Sequence, residues 1–150
     1  MGTKIVYMRL RVAGVLVQDN KLLLVQHEKD GKTYWLLPGG GVRLGEPLYD
    51  SLIREFYEEL NLRIAVRGLF FVVETVSPQG DHILQPTFRV AAENIDEIQL
   101  GSDKRVVDYA FFRQDTINEL SLYPDIKEEM LVFLESSRID QRYVLKSWID

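Results

Sequence analysis

Residues 40–62 read GGVRLGEPLYDSLIREFYEELNL, and the acidic residues in the second half of this stretch decide how the chain is understood. A helix over residues 47–60 places Glu55, Glu58 and Glu59 within about a 100° arc, because successive residues advance about 100° around the axis. Like charges at that spacing repel, and Glu55/Glu59 alone costs an isolated helix roughly a few tenths of a kcal/mol. A helix that keeps all three therefore calls for a counter-charge. An all-carboxylate set suits a hard divalent cation, Mg²⁺ or Mn²⁺, which retains waters and binds through substrate phosphates.

The flanking residues support a helix with two unlike faces. Tyr49, Leu52, Ile53, Phe56 and Leu60 form an apolar stripe beside the acidic arc, so one face is expected to pack on a sheet while the carboxylates point sideways into a cleft. Pro47 suits the first helical position, whereas Glu46 is a poor N-cap and is expected to serve another purpose. Pro38 and the glycines at 39–41 read as a loop whose missing Cβ atoms permit close approaches.

Gly40, Glu46, Arg54, Glu55, Phe56, Glu58, Glu59 and Leu62 together resemble the Nudix box, and their eight fixed identities over 23 positions make that resemblance specific. Residues 35–40, WLLPGG, and Gly45-Glu46 also look like the family, and weaker resemblance runs from about residue 12 to 112. Asn61 stands where the family usually has Gly. Asn is the next best residue for the left-handed position that ends a helix, so the geometry is expected to survive.

Composition agrees with one enzyme domain spanning 1–150. The chain has 150 residues, 46% of them hydrophobic, and a domain of this size buries roughly 68–70% of the surface exposed when unfolded. There is no cysteine, hence no disulfide and no thiolate zinc site. A net charge of −5 argues against a nucleic-acid surface. A small phosphorylated ligand is a different matter, since a bound cation offsets its charge locally. No apolar run approaches the ~18 residues of a membrane span, and the charged first residues do not read as a signal peptide. The expected location is the cytoplasm, and a homodimer is left open.

Strand and helix signals interleave. Residues 10–17 and 22–27 read as a hairpin, 34–37 as a short strand, 64–76 and 82–92 as long partners around a turn at 77–81, and 106–112 as another strand. Residues 115–120 and 124–136 read as helices, the latter with Ile126, Met130, Val132, Phe133 and Leu134 on one side. Residues 142–149 read as a last strand. The sum is an α/β fold, an α/β/α sandwich with a mixed sheet, and the Nudix resemblance implies the same architecture.

Diphosphate linkages resist water because their anionic oxygens shield phosphorus, so a catalyst must neutralise that charge and activate an oriented water. Glu55, Glu58 and Glu59 are expected to ligate or approach the metal, and the resemblance adds the backbone carbonyl of Gly39. It also makes Arg54 a structural cation that holds the carboxylates, with Glu46 in the same cluster; partners of this kind orient metal ligands. Gly40 and Gly41 are candidate substrate contacts, as is His27, which sits where relatives place a phosphate-contacting basic residue but equally suits an ordinary strand end. His82 is read as structural, and Trp35 as packing rather than as a stacking platform.

Some family members complete the site with a glutamate before the late strand, and here that position aligns with Arg105, which cannot accept a proton. Asp103 is the substitute base, with Glu97, Glu93 and Glu58 as alternatives. The implied activity is metal-dependent hydrolysis of a diphosphate bond in a small-molecule nucleotide: ADP-ribose or another nucleotide sugar, a nucleoside triphosphate, or a dinucleotide polyphosphate. Pro78, 16 residues past the box, resembles the ADP-ribose-cleaving members, although a turn explains it equally. The alternative is a catalytically weak nucleotide-sensing or regulatory module on the same fold.

Overall fold

The computed structural model describes residues 7–139 and 142–147. In chain order these form β1 (Met8–Val15), β2 (Val17–Gln18), β3 (Lys21–Lys29), β4 (Lys32–Leu36), β5 (Gly39–Gly41), α1 (Leu48–Leu60), β6 (Ile64–Val76), β7 (His82–Ala92), β8 (Val106–Phe112), α2 (Gln114–Ile117), α3 (Lys127–Ser136) and β9 (Tyr143–Ser147). Residues 148 and 149, the end of the expected last strand, lie outside the described residues.

Two sheets result. One is mixed, in the order β5-β1-β7-β6-β9, with β1/β7 and β6/β9 parallel and the other pairs antiparallel. The second is antiparallel, β2-β3-β4, with β8 on the other side of β3. The run Leu22-Leu23-Leu24-Val25 in β3 is apolar throughout because both of its faces are covered. Leu22 and Leu24 join a core with Phe71, Val73, Met130 and Leu134, while Leu23 and Val25 join a second with Leu52, Phe56, Leu60 and Phe88. Helix α3 thus covers one side and α1 the other.

Three expectations change. The hairpin is only β2 with β3, turned by Asp19 and Asn20 at φ 51° and 60°, because β1 crosses to the mixed sheet and pairs with β5 and β7. The glycines at 39–41 form a strand, not a loop, with Gly39 opposite Ala13 and Gly41 opposite Arg11. A Cβ on Gly39 would lie 1.9 Å from the Val12 carbonyl oxygen, so the strand fits beside β1 at this position only without a side chain. Pro47 caps α1 from outside rather than starting it, its carbonyl accepting the Ser51 N–H at 3.0 Å.

The faces of α1 also differ from expectation. Leu52, Phe56 and Leu60 are buried, but Ile53 and Tyr49 are exposed, Tyr49 resting edge-on against Phe88 at 5.2 Å. The room is taken by Glu55 and Glu59, which lie on the buried side rather than at its margin. Asn61 ends the helix at φ 56°, its N–H donating to the Tyr57 carbonyl at 2.9 Å. The two later helices are shorter than expected, α2 ending at Ile117 and α3 starting only at Lys127, after Ile126. Ile126, Met130 and Leu134 are buried and Phe133 packs against this core, while Val132 stays outside it.

Candidate active site

Arg54 organises the acidic helix. Its Nε and Nη2 donate to the two Glu46 oxygens at 2.8 and 2.9 Å, a forked geometry that a lysine could not supply. Nη1 donates to Glu55 Oε1 at 2.8 Å and to Glu58 Oε2 at 3.1 Å. This bond set holds the Glu46 carboxyl down at about 2, and the same partners push the guanidinium further into its charged form. Glu46, poor as a cap, is thus one arm of a clamp reaching from the loop before α1 to its middle.

Glu59 sits deepest, 1% exposed. Its Oε1 accepts the Gly39 N–H at 3.2 Å, and its Oε2 has no hydrogen-bond partner. Burial pushes this carboxyl up to about 8, with the Arg11 charge working the other way. Burial also raises Glu55, against the pull of Arg54. Gly40 lies so close that a Cβ there would stand 2.4 Å from the Glu55 carboxyl carbon. Among the described residues no three acidic or imidazole side chains already converge as a metal cluster, since Arg54 draws Glu55 and Glu58 to itself. The orphaned Glu59 oxygen, the hard oxygen donors and the raised proton affinities nonetheless fit a divalent cation, which would supply the positive charge that burial demands.

Beside this cluster opens a cleft of about 990 Å³, with Gly39, Gly40 and Gly41 in its lining. Cations outnumber carboxylates in its lining although the chain is acidic: Arg9, Arg11, Lys29, Lys32 and Arg105 against Glu28 and Asp30. Arg11, absent from the sequence-based site, lies in β1, donating Nη1 to Gln85 Oε1 at 2.8 Å and Nη2 to the Leu37 carbonyl at 2.9 Å. Burial works against its charge, and Glu59 and Glu55 support it. The available signal was Arg9 and Arg11 two apart in an otherwise apolar strand, hence on one face. Tyr34 and Tyr123, 5.6 Å apart edge to face, also line the cleft. Trp35 does not; it packs edge-on against Phe112 at 4.7 Å in the core.

His27 lines the cleft as an uncharged group. Burial, reinforced by Arg11 and Arg105, lowers it to about 4, and its Nε2 is buried without a partner. It can donate or accept a hydrogen bond but offers no positive charge to a phosphate at neutral pH. Asp103 is gripped by Arg105, whose Nε and Nη2 donate to its two oxygens at 3.2 and 3.0 Å, and this keeps its carboxyl below the usual range. The loop before it is anchored rather than free, with the Gly101 N–H donating to the Glu59 carbonyl at 3.0 Å. Glu97 is occupied with Asn94 at 3.0 Å, on the short 3-10 turn Ile95–Glu97. His82 pairs with Glu74, and Pro78 sits in a turn closed by Ser77 and Asp81.

The NUDIX domain model matches residues 8–134, nearly all of the strands and helices just described. The chain belongs to the Nudix family. An uncharacterized Nudix hydrolase of Bacillus subtilis is 40% identical over 70 residues, covering 47% of this chain and 43% of that protein. The ADP-ribose pyrophosphatase of Methanocaldococcus jannaschii is 30% identical over 101 residues, 65% of this chain and 59% of that protein. The matches thus span about half the length of these curated relatives. A solved Nudix hydrolase from Nitrosomonas europaea superposes with a TM-score of 0.77 at 21% identity, covering 89% of this chain and 92% of that one, which shows a shared fold.

Proposed function

We propose that this Nudix domain hydrolyses a diphosphate bond in a small nucleotide, using Mg²⁺ or Mn²⁺ held by Glu55, Glu58, Glu59 and the Gly39 carbonyl. Such an ion, when bound, neutralises phosphate oxygens and lowers the pKa of an attacking water. The chain's own residues do the rest. Arg54 fixes the directions of Glu46, Glu55 and Glu58, and the Gly39 N–H fixes Glu59. Gly40 and Gly41 leave the strand bare where a phosphate can approach, and Arg11 and Arg105 counter its charge from the cleft wall.

The observation that carries this reading is the Glu59 carboxylate, buried beside Glu55 with one oxygen unpartnered. A domain built only for stability gains nothing from such a group. The proton from water goes to Asp103 or Glu58. Asp103 can serve only when Arg105 lets go, since a carboxylate held in that fork is a weak base. ADP-ribose heads the candidates, on the likeness to the archaeal pyrophosphatase and the position of Pro78, followed by other nucleotide sugars, nucleoside triphosphates and dinucleotide polyphosphates. No helix among the described residues is long and apolar enough to cross a membrane, and we place the protein in the cytoplasm.

The test is a panel of these substrates with Mg²⁺, read as release of nucleoside monophosphate. Turnover of at least one member, abolished by excess chelator, is the expected result, and turnover undiminished by chelator contradicts the metal site. The second reading, a nucleotide sensor, is favoured by one observation, the engagement of Asp103 by Arg105. Tight nucleotide binding without turnover of any member would support it.

A further inference from the structure

Four arginines stand near the acidic cluster, and they differ in what they can give up. Arg43 pairs with Glu58 at 3.7 Å from outside the lining of the cleft. Arg54 spends its donors on Glu46, Glu55 and Glu58 with a side chain 17% exposed, so withdrawing it would dismantle the cluster. Arg11 is committed within the fold to Gln85 and the Leu37 carbonyl. Arg105 lines the same cleft with a side chain 73% exposed, and among the described residues its guanidinium is held by Asp103 alone, two residues away. The Asp103 end of the pair is 20% exposed, but the arginine end stands in water, which screens the attraction and leaves the guanidinium room to move. Arg105 also lies in the fields of Glu55 and Glu59, which favour its charge. His27, on the neighbouring strand, is neutral and cannot take its place.

We propose that Arg105 is an anion-binding arm that leaves Asp103 for a phosphate oxygen of the substrate, with Asp103 as the positioning residue that holds the arm ready. The inference rests on the diphosphate-hydrolase reading for its ligand. A guanidinium fork fits carboxylate and phosphate alike, so the exchange replaces one forked pair by another. Its backbone is fixed meanwhile: the Arg105 N–H donates to Asp103 Oδ1 at 3.0 Å, and the Arg105 carbonyl accepts the Glu28 N–H at 3.3 Å, so only the side chain has to swing.

A merely structural Arg105–Asp103 pair and an exchanging one predict opposite signs for Asp103 variants. Binding of methylenediphosphonate, which cannot be hydrolysed, is measured calorimetrically with saturating Mg²⁺ for the wild type, Arg105→Gln, Arg105→Lys and Asp103→Asn. The expected result is a loss of about 10-fold or more in affinity for Arg105→Gln, as for a lost charge-assisted hydrogen bond. Arg105→Lys restores part of it, and Asp103→Asn binds at least as tightly as the wild type because the competing carboxylate is gone. With the substrate that the panel identifies, Arg105→Gln raises KM more than it lowers kcat. Unchanged affinity in Arg105→Gln, equal weakening in Arg105→Gln and Asp103→Asn, or no binding by the wild type overturns the proposal. The expected binding pattern with no turnover of any substrate would sink the hydrolase reading alone; turnover with Arg105→Gln unaffected would sink this inference alone.

Discussion

The backbone N–H of Gly39 donates to Glu59 Oε1 at 3.2 Å, so the glycine strand and the acidic helix meet at one carboxylate. The approach depends on the missing Cβ of Gly39, and the three glycines of the strand are not equivalent. A Cβ on Gly39 would meet the Val12 carbonyl oxygen at 1.9 Å, whereas one on Gly41 meets nothing within 4 Å. Gly39→Ala should therefore cost at least about 2 kcal/mol, as overpacking does, lowering the melting temperature by roughly 4–8 °C. Gly41→Ala should melt within about a degree of the wild type, as surface changes do. Thermal melts of the two variants side by side check this, and equal behaviour would contradict the strand assignment.

Glu59 makes stability depend on pH and metal together. Its carboxyl is raised from 4.5 to about 8, so the folded state holds a proton that the unfolded state has lost between those values. The contribution is fully present below about 4.5 and disappears as pH rises through 8. Metal-free protein should accordingly lose stability from pH 5 to 8, and Glu59→Gln should flatten that fall. Mg²⁺, bound only by the folded state, should raise the wild-type melting temperature more at pH 8 than at pH 6. Melting curves over that range decide it; no shift at saturating Mg²⁺ counts against the site.

His27 gives the opposite slope in acid. Its folded value of about 4 lies below the ordinary 6.5, so the unfolded chain takes up a proton first and stability falls as pH drops from 6.5 toward 4. His27→Gln should remove part of that fall while changing little at pH 7.5. Urea unfolding at several pH values measures the difference between variant and wild type, and parallel curves would mean that the imidazole titrates normally.

Local signals made much of this architecture legible, and pairings distant in sequence hid the rest. The bounds of β6, β7 and β8 follow from β-rich runs between turn residues, despite Gly68 and Pro86 within them, and the carboxylates of α1 follow from their spacing. By contrast, Gly39–Gly41 become a strand only because β1 lies beside them, and β1 lies there only because it pairs with β7, some 70 residues later by its register of Met8 with His82. The same crossing carries Arg11 to the carboxylates, while a bridge between Trp35 and Leu122 brings Tyr34 against Tyr123, and no motif announces either. The depth of Glu55 and Glu59 was hidden for a related reason. A helical spacing fixes which residues share a face, while the second sheet decides whether that face sees water.

The central claim is that the carboxylates of α1 carry metal-dependent chemistry, and Glu58 tests it most directly because its side chain is 38% exposed and bears on no core packing. Glu58→Gln keeps size and helix propensity but removes a charge and an oxygen ligand. Single-turnover hydrolysis of the substrate found in the panel, at saturating Mg²⁺, should slow by roughly 10²-fold or more, about 3 kcal/mol of transition-state stabilisation. The metal-free melting temperature should change little, since Gln still accepts the Arg54 hydrogen bond and only a part-exposed ion pair is lost. A variant that folds normally and retains near-wild-type single-turnover rate would contradict the metal-site assignment.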